Sequence, residues 1–249
     1  LNAGHFTEVM NRSDTHYVPI QVATTNGRYK TINSRQNFNY IGGDYQLSDL
    51  AFKGSYYYAR FENVYDQQFA GATKKWQAGP GVLTTDFRAF YSKGDGNRLA
   101  GKIDNTLYSG LLAYQYNTQK LSVSFQRSLG STAFPYISGT DPYLTNYQLI
   151  GTFTETGEHS WKVQYDYNFR NLGLPGLTIS NLYVSGGGIE ESGYTGKEWE
   201  RNTDITYAFD PHGPLKNVRL KWRNGTYRSN FARNIDENRF FIFYTVALK

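Results

Sequence analysis

Several residue types that anchor common folds are scarce or missing in this chain of 249 residues. It has no cysteine, which excludes a disulfide scaffold and thiolate metal sites. No apolar run approaches the roughly 20 residues that a transmembrane helix needs, and the first ten residues lack the layout of a signal peptide. A helical membrane protein is therefore excluded, whereas a transmembrane barrel, built from segments of about ten residues, is not.

The four histidines also lie too far apart to form a metal site, which argues against a zinc enzyme and predicts no metal or cofactor. They are His5, His16, His159 and His212. Aromatic residues are abundant instead, with 22 Tyr, 16 Phe and 4 Trp. Aromatic and Thr-rich segments broken by Gly and Asn favour strands, so the chain is predicted to be a single all-β region covering residues 1–249.

Alternation of apolar and polar residues runs through most of the chain. In SWKVQYDYNF, residues 160–169, one face carries Trp161, Val163, Tyr165, Tyr167 and Phe169. The same analysis places Phe240, Ile242, Tyr244, Val246 and Leu248 on one face of the final strand. About twelve strands are predicted, at residues 1–7, 37–46, 50–61, 66–76, 83–92, 106–116, 121–128, 160–169, 177–185, 201–210, 217–230 and 237–249.

The connections between these strands alternate between tight turns and longer loops. QLSD, AGPG, NTQK, RNLGLPG and PHGPLKN are predicted turns, while GGGIEESGYTGKEWE, residues 186–200, is predicted to be a loose linker. Hairpins with tight turns at one end and long loops at the other are typical of outer-membrane barrels and rare in β-sandwiches. The pattern therefore favours a transmembrane antiparallel β-barrel.

Several segments, in order along nearly the whole chain, resemble the OprD family, the substrate-selective porins of Gram-negative outer membranes. They are LNAGHFTE, GGDYQLSDL, GKIDNT, FPYI, SWKVQYDYN with LGLPGLT, VSGGGI and ENRFFIFYT. The resemblance implies a barrel of about eighteen strands, of which this chain would supply the C-terminal two-thirds. It also implies a passive, substrate-selective channel in the outer membrane and no enzymatic activity.

The resemblance further implies that loops of this family fold inward to form a constriction, and that one of these loops corresponds to residues 129–159. Its Tyr136, Asp141 and Tyr143 are candidate selectivity residues, because Tyr hydroxyls and a carboxylate are able to hold an ammonium group. The alternative is that this segment is only a loop packed on the rim. A second constriction loop is expected in the absent N-terminal strands.

Residues 217–230, NVRLKWRNGTYRSN, carry closely spaced cations. With Val218, Leu220 and Trp222 facing lipid, the side chains of Arg219, Lys221 and Arg223 line the lumen about 7 Å apart. Charges on the lipid face would cost about 2 to 4 kcal/mol each at the midplane, which favours this orientation.

The resemblance identifies Lys221 and Arg223 with a basic ladder that guides carboxylates. Arg239 on the last strand is expected to join them, with Lys162 and Arg88 as further candidates on other strands. Arg228, beyond Gly225, is assigned to the rim. The alternative role for the lumen cations is pairing across the wall with Asp86, Asp166, Asp204 and Glu237.

Other classes of function remain as alternatives. A nucleic-acid binder would explain the basic strand but not the apolar face repeated on nearly every strand. A barrel enzyme would need a Ser and a His, or paired carboxylates, near a strand end, and the candidates are His159 beside Ser160 and His212 in a tight turn. A general, non-selective pore is the third. The expected partners are small anionic or zwitterionic carboxylates and outer-membrane lipid, with no nucleic acid, in a monomer or weak trimer.

Overall fold

The computed structural model describes residues 1–10, 14–23, 28–191, 193–210 and 212–246. Most of them form one antiparallel sheet of twelve strands. Its strands are β1 (Asn2–Phe6), β4 (Phe38–Leu47), β5 (Phe52–Phe61), β6 (Tyr65–Ala78), β7 (Gly81–Gly94), β8 (Asp104–Tyr116), β9 (Gln119–Gly130), β10 (His159–Asn168), β11 (Leu177–Glu191), β12 (Tyr194–Ala208), β13 (Val218–Ser229) and β14 (Ile235–Tyr244). A second small sheet pairs β2 (Glu8–Val9) with β3 (Val18–Pro19).

Every strand of the large sheet pairs with its neighbours in chain order, so β1 and β14 lie at the two ends of that order. All twelve predicted strands are therefore confirmed, in one up-and-down sheet. The connections β4–β5, β6–β7, β8–β9, β10–β11 and β12–β13 lie at one end, the tight-turn end. The loops 95–103 and 131–158 lie at the other, together with the short connections β5–β6, β11–β12 and β13–β14, so the predicted separation of tight turns from long loops holds only in part. In the part of the chain that the structure describes, no helix is long and apolar enough to cross a membrane.

The outer face of the sheet, the face turned away from loop 131–158, carries a continuous set of apolar side chains. The rings of Trp161, Tyr183 and Trp199 pack in a row across β10, β11 and β12, with centroids 5.5 and 5.7 Å apart. Phe240 and Ile242 on β14 are 79% and 78% exposed. The predicted orientation of these strands is therefore confirmed for the described residues; Leu248 lies outside them.

The opposite face, here called the inner face, is covered in part by residues 131–158, the inward loop. Buried polar side chains of the wall hold its backbone: Gln126 Nε2 donates to the carbonyl oxygen of Phe153 at 2.7 Å. Asn146 of the loop contacts Ser124 at 2.5 Å and Ser160 at 2.9 Å. The inward loop is thus part of the inner wall rather than a flap above it, because these polar groups of the loop are hydrogen-bonded to the wall.

The first long loop is the chain between β1 and β4, residues 7–37, and its described part packs against the inward loop; we call the two loops together the loop cap. The amide of Ala23 donates to Tyr136 O at 2.8 Å, and the amide of Ser138 donates to Gln21 O at 2.9 Å. An apolar cluster lies beneath these bonds, at the same end of the sheet as the loops 95–103 and 131–158. Its buried members are Ile20, Val22, Tyr29, Ile32, Phe61, Val64, Tyr65, Ala100 and Ile103.

The predicted loose linker at residues 186–200 is wrong. Strands β11 and β12 pair throughout this segment, with a bulge between Gly187 and Ile189. The glycines do not break the strand; they permit close approach, since a Cβ at Gly186 would lie 1.9 Å from a Glu158 oxygen and one at Gly188 would lie 2.7 Å from the His159 ring. Gly188 also adopts a φ of 74°, which favours glycine.

Candidate functional site

Three charged side chains form a compact ion cluster on the inner face. Strand register places Asp204 of β12 opposite Arg223 of β13, and Thr206 opposite Lys221, so the two cations flank one carboxylate. Asp204 Oδ2 lies 2.7 Å from Lys221 Nζ and 2.6 Å from Arg223 Nη2. Its Oδ1 accepts from Arg223 Nε at 2.6 Å, which completes a two-pronged pair. All three side chains are half-buried and reach open space.

Two recesses meet at this ion cluster. One, of about 390 Å³, lies between the inward loop and the wall, and is lined by Tyr147, Leu149, Asp204 and Arg223 among others. The other, of about 460 Å³, extends toward the tight-turn end and is lined by Lys120, Arg170, Asp204 and Lys221 among others. Arg223 therefore faces the loop side, Lys221 faces the turn side, and Asp204 borders both.

The remaining cations of β13 and β14 continue the inner face. Arg239 lies directly opposite Arg223 across the strand pair, and its guanidinium binds Glu237 at 2.5 Å. Arg219 lies opposite Phe243, with its guanidinium carbon 4.4 Å from the ring centroid. Strand parity thus brings together four of the six predicted ladder residues, and three of those four are paired with a carboxylate.

Arg88 and Lys162, the other two predicted ladder residues, share this face but hold the inward loop. Arg88 donates to Tyr143 O at 2.9 Å, stacks over the Tyr143 ring at 3.8 Å and pairs with Asp86 at 2.7 Å. Lys162 is 8% exposed, and its ammonium donates to the carbonyl oxygen of Thr145. Both cations are therefore engaged in loop attachment.

Sequence position grouped Tyr136, Asp141 and Tyr143, and the structure separates them. Tyr136 and Asp141 line one recess with Tyr147, at the border of the loop cap. Tyr143 lies over another, of about 430 Å³, where its ring packs on Phe69 at 5.7 Å. Asp141 Oδ1 accepts from the amide of Tyr143 at 2.8 Å. This bond holds a turn in which Tyr143 has a φ of 58°. Burial raises the pKa of Tyr147.

Sequence reasoning missed a set of buried carboxyl groups beneath the inward loop. Glu200 is fully buried and accepts from the amides of Gly151 at 2.6 Å and Ile150 at 3.2 Å. Glu198 accepts from the Tyr227 hydroxyl, and Glu158 Oε2 accepts from the amide of Glu155 at 2.9 Å. Glu198 and Glu200 lie in the segment predicted as a linker. Strand alternation, which places both on the inner face, therefore did not enter the prediction for them.

Glu158 is the loop's own member of this set. Burial raises the pKa of its carboxyl group well above the usual range, and the neighbouring carboxyl of Glu198 raises it further. Glu155 pairs with Arg28 of the first long loop at 2.8 Å, and Arg28 also pairs with Glu191. The C-terminal end of the inward loop is thus attached to the first long loop through the pair of Glu155 with Arg28.

The side chains of the candidate hydrolase pair do not face each other. Ser160 is buried on the inner face and accepts from Asn146 Nδ2 at 2.9 Å. His159 is the preceding residue of the same strand and therefore points to the opposite face. His212 lies in the turn after β12, where its amide donates to Asp210 at 2.8 Å. Neither histidine is placed next to a nucleophile in these contacts.

Comparison with known proteins identifies relatives along the whole chain. A family model described as "outer membrane porin, OprD family" matches residues 1–248. The porin-like protein GalP of Pseudomonas putida is 28% identical over 251 residues, covering 100% of this chain and 59% of that protein. Porin D of Pseudomonas aeruginosa is 28% identical over 267 residues, covering 96% of this chain and 58% of that protein.

Solved structures agree with these matches. The crystal structure of Pseudomonas aeruginosa OccK5 (OpdH) superimposes with a TM-score of 0.91 at 39% identity, covering 97% of this chain and 65% of that one. OccK3 (OpdO) from the same organism gives a TM-score of 0.90 at 37% identity, covering 99% of this chain and 65% of that one. The chain spans less than two-thirds of the length of each of these relatives.

Proposed function

Because this chain belongs to the OprD family of outer-membrane porins, we propose that it lines a passive channel for small carboxylate-bearing solutes. The proposed substrates are amino acids and aromatic or other organic acids. The proposed path follows the inner-face cations of β13 and β14, and the proposed partners of the outer face are membrane lipids. Assembly as a monomer or weak trimer remains part of this proposal.

The ion cluster of Lys221, Arg223 and Asp204 is the observation that carries the proposal. A guanidinium presents paired N–H donors that match a carboxylate, and Asp204 already shows that geometry at 2.6 Å. The cluster borders two recesses, so a solute carboxylate is able to approach Arg223 from one side and leave Lys221 from the other. Closely spaced cations in a confined passage raise the local anion concentration.

The apolar outer face supports the membrane part of the proposal. Trp161, Tyr183, Trp199, Phe240 and Ile242 lie on that face, where a lipid-facing barrel carries apolar and aromatic side chains. A nucleic-acid surface requires a set of cations on one accessible face, whereas the closely spaced cations Arg219, Lys221 and Arg223 of β13 lie on the inner face and outer-face Arg228 is paired with Asp236. The porin proposal therefore accounts for both faces of the sheet.

Planar-bilayer recording of the porin carrying this chain, extracted from outer membranes, tests the proposal. We expect a carboxylate solute to reduce the conductance, and we expect Lys221→Gln with Arg223→Gln to raise its half-blocking concentration about tenfold or more. A charge-assisted hydrogen bond contributes about 1.5 to 3 kcal/mol, and 1.4 kcal/mol is tenfold in affinity.

The matched control is Arg228→Gln with Asp236→Asn, an ion pair of 2.9 Å on the outer face. It removes a neighbouring charge pair without touching the inner face, so block is expected to persist. An unchanged half-blocking concentration in the Lys221/Arg223 variant would refute the ladder assignment. A wild-type channel that no carboxylate blocks would favour a general, non-selective pore.

A further inference from the structure

We propose that Asp204 is a specificity-determining residue of this channel. Its carboxylate competes with the solute for Lys221 and Arg223, and this exchange moves the solute from one cation to the other. This inference rests on the proposed function and adds a residue to it. An anionic side chain on a path for anions would otherwise be only an obstacle. The contacts and location of Asp204 argue for an active part in transfer.

Asp204 occupies the donors that a solute carboxylate would use. Its two oxygens take Nε and Nη2 of Arg223, both at 2.6 Å, and Oδ2 also binds Lys221 Nζ at 2.7 Å. Strand register fixes these positions, because Asp204 is the cross-strand partner of Arg223. The resting site is therefore already filled by a carboxylate of the wall.

Binding of a solute is consequently an exchange of one carboxylate for another. The hydrogen bonds gained by the solute are offset by those that Asp204 gives up, so the net free energy of binding stays small. Conduction requires such weak binding, since a solute that is held strongly leaves slowly. Asp204 keeps Arg223 and Lys221 attractive to anions without letting either become a trap.

Location gives Asp204 its transfer role. It borders both recesses, whereas Arg223 lines the loop-side recess and Lys221 lines the turn-side recess. When a solute occupies Arg223, Asp204 retains Lys221; when the solute moves to Lys221, Asp204 returns to Arg223. Each cation thus has a carboxylate partner at every stage, which lowers the barrier between the two positions.

Charge balance gives the class of solute. Two cations and one carboxylate leave the ion cluster with a single net positive charge, which matches one carboxylate group at a time. Removal of the Asp204 charge leaves two uncompensated cations. That arrangement holds a dicarboxylate more strongly relative to a monocarboxylate, because both of its groups find a cation.

The test is single-channel recording of the wild type, Asp204→Asn and Asp204→Glu, with benzoate and isophthalate as probes. In Asp204→Asn, the half-blocking concentration of benzoate is expected to fall about tenfold and the dwell time of each block to lengthen, as expected when one competing charge-assisted bond is lost. Isophthalate is expected to gain more than benzoate. Asp204→Glu, which keeps the charge, is expected to be blocked with the half-blocking concentrations of benzoate and isophthalate in their wild-type order.

Two controls keep the outcome clear. Asp236→Asn makes the same chemical change on the outer face and is expected to leave benzoate block unaltered. Asp204→Ser removes the same charge with a smaller side chain and must behave like Asp204→Asn, whether or not the amide variant inserts well. If wild-type block is normal and neither neutral variant lowers the half-blocking concentration, the role of Asp204 is refuted. If no carboxylate blocks the wild type, the proposed function fails as well.

Discussion

Two parts of the same inner wall use the same residue types for different purposes. Under the inward loop, Arg88, Lys162 and Glu200 bind backbone groups of the loop. On β12 and β13, Asp204, Lys221 and Arg223 bind one another and face open recesses. The difference lies in what covers the side chains, because a charged group beneath a loop must be satisfied by that loop. Three predictions test this contrast.

Replacement of Glu200 with Ala is expected to give the largest effect. It leaves the amides of Ile150 and Gly151 without their acceptor, at a cost of about 1 to 3 kcal/mol for each buried group. Limited proteolysis and amide exchange should show reduced protection of residues 131–158. Glu237→Ala on β14, which removes a carboxylate that pairs with Arg239, is the matched control and should leave loop protection intact.

Glu158→Gln should change how loop protection depends on pH. Because the folded-state pKa of Glu158 is raised above its usual 4.5, its contribution to stability is complete below about pH 4.5 and is lost as pH rises through the folded-state value. Protection of the wild-type loop should therefore fall with rising pH, by at most about 1.4 kcal/mol per pH unit. The Gln variant should lack this component, and identical profiles for the two proteins would contradict the assignment.

Lys162→Met is expected to give the smallest effect. The lost bond to Thr145 O is offset by removal of a buried ammonium, so loop protection should fall by about 1 kcal/mol. The half-blocking concentration of a carboxylate should not change. Arg239→Gln should give the reverse pattern, with weaker block and normal loop protection. A clear loss of block in Lys162→Met would place Lys162 on the solute path.

Much of the fold follows from alternation alone. The twelve strands and the orientation of β10, β13 and β14 were predictable, because a period of two fixes which face each side chain takes. The segment at residues 186–200 was not, since three consecutive glycines normally indicate a break. Two of these glycines, Gly186 and Gly188, allow the close approach of Glu158 and His159 at the start of the neighbouring strand β10, which alternation within the segment does not indicate.

For the candidate site, alternation likewise predicted the face on which each cation lies but not its contacts. Parity placed Arg88, Lys162 and Arg223 on one face correctly, yet it could not distinguish a cation that lines an open recess from one that holds the inward loop. That distinction depends on the path of the inward loop, and its contacts join residues far apart in sequence. Gln126 with Phe153 and Glu200 with Gly151 are examples, separated by 27 and 49 positions.

The loop cap has a consequence for the order of folding. Arg28 pairs with Glu191 across 163 positions, and Tyr29 donates to Ala133 across 104. Such contacts do not stabilise the protein until the strands between them have paired in register. The reason is that the entropic cost of bringing distant partners together comes before the contacts between them form. The loop cap is therefore expected to assemble last, so its formation reports that folding is complete. An epitope formed jointly by the two long loops would exist only on fully folded molecules.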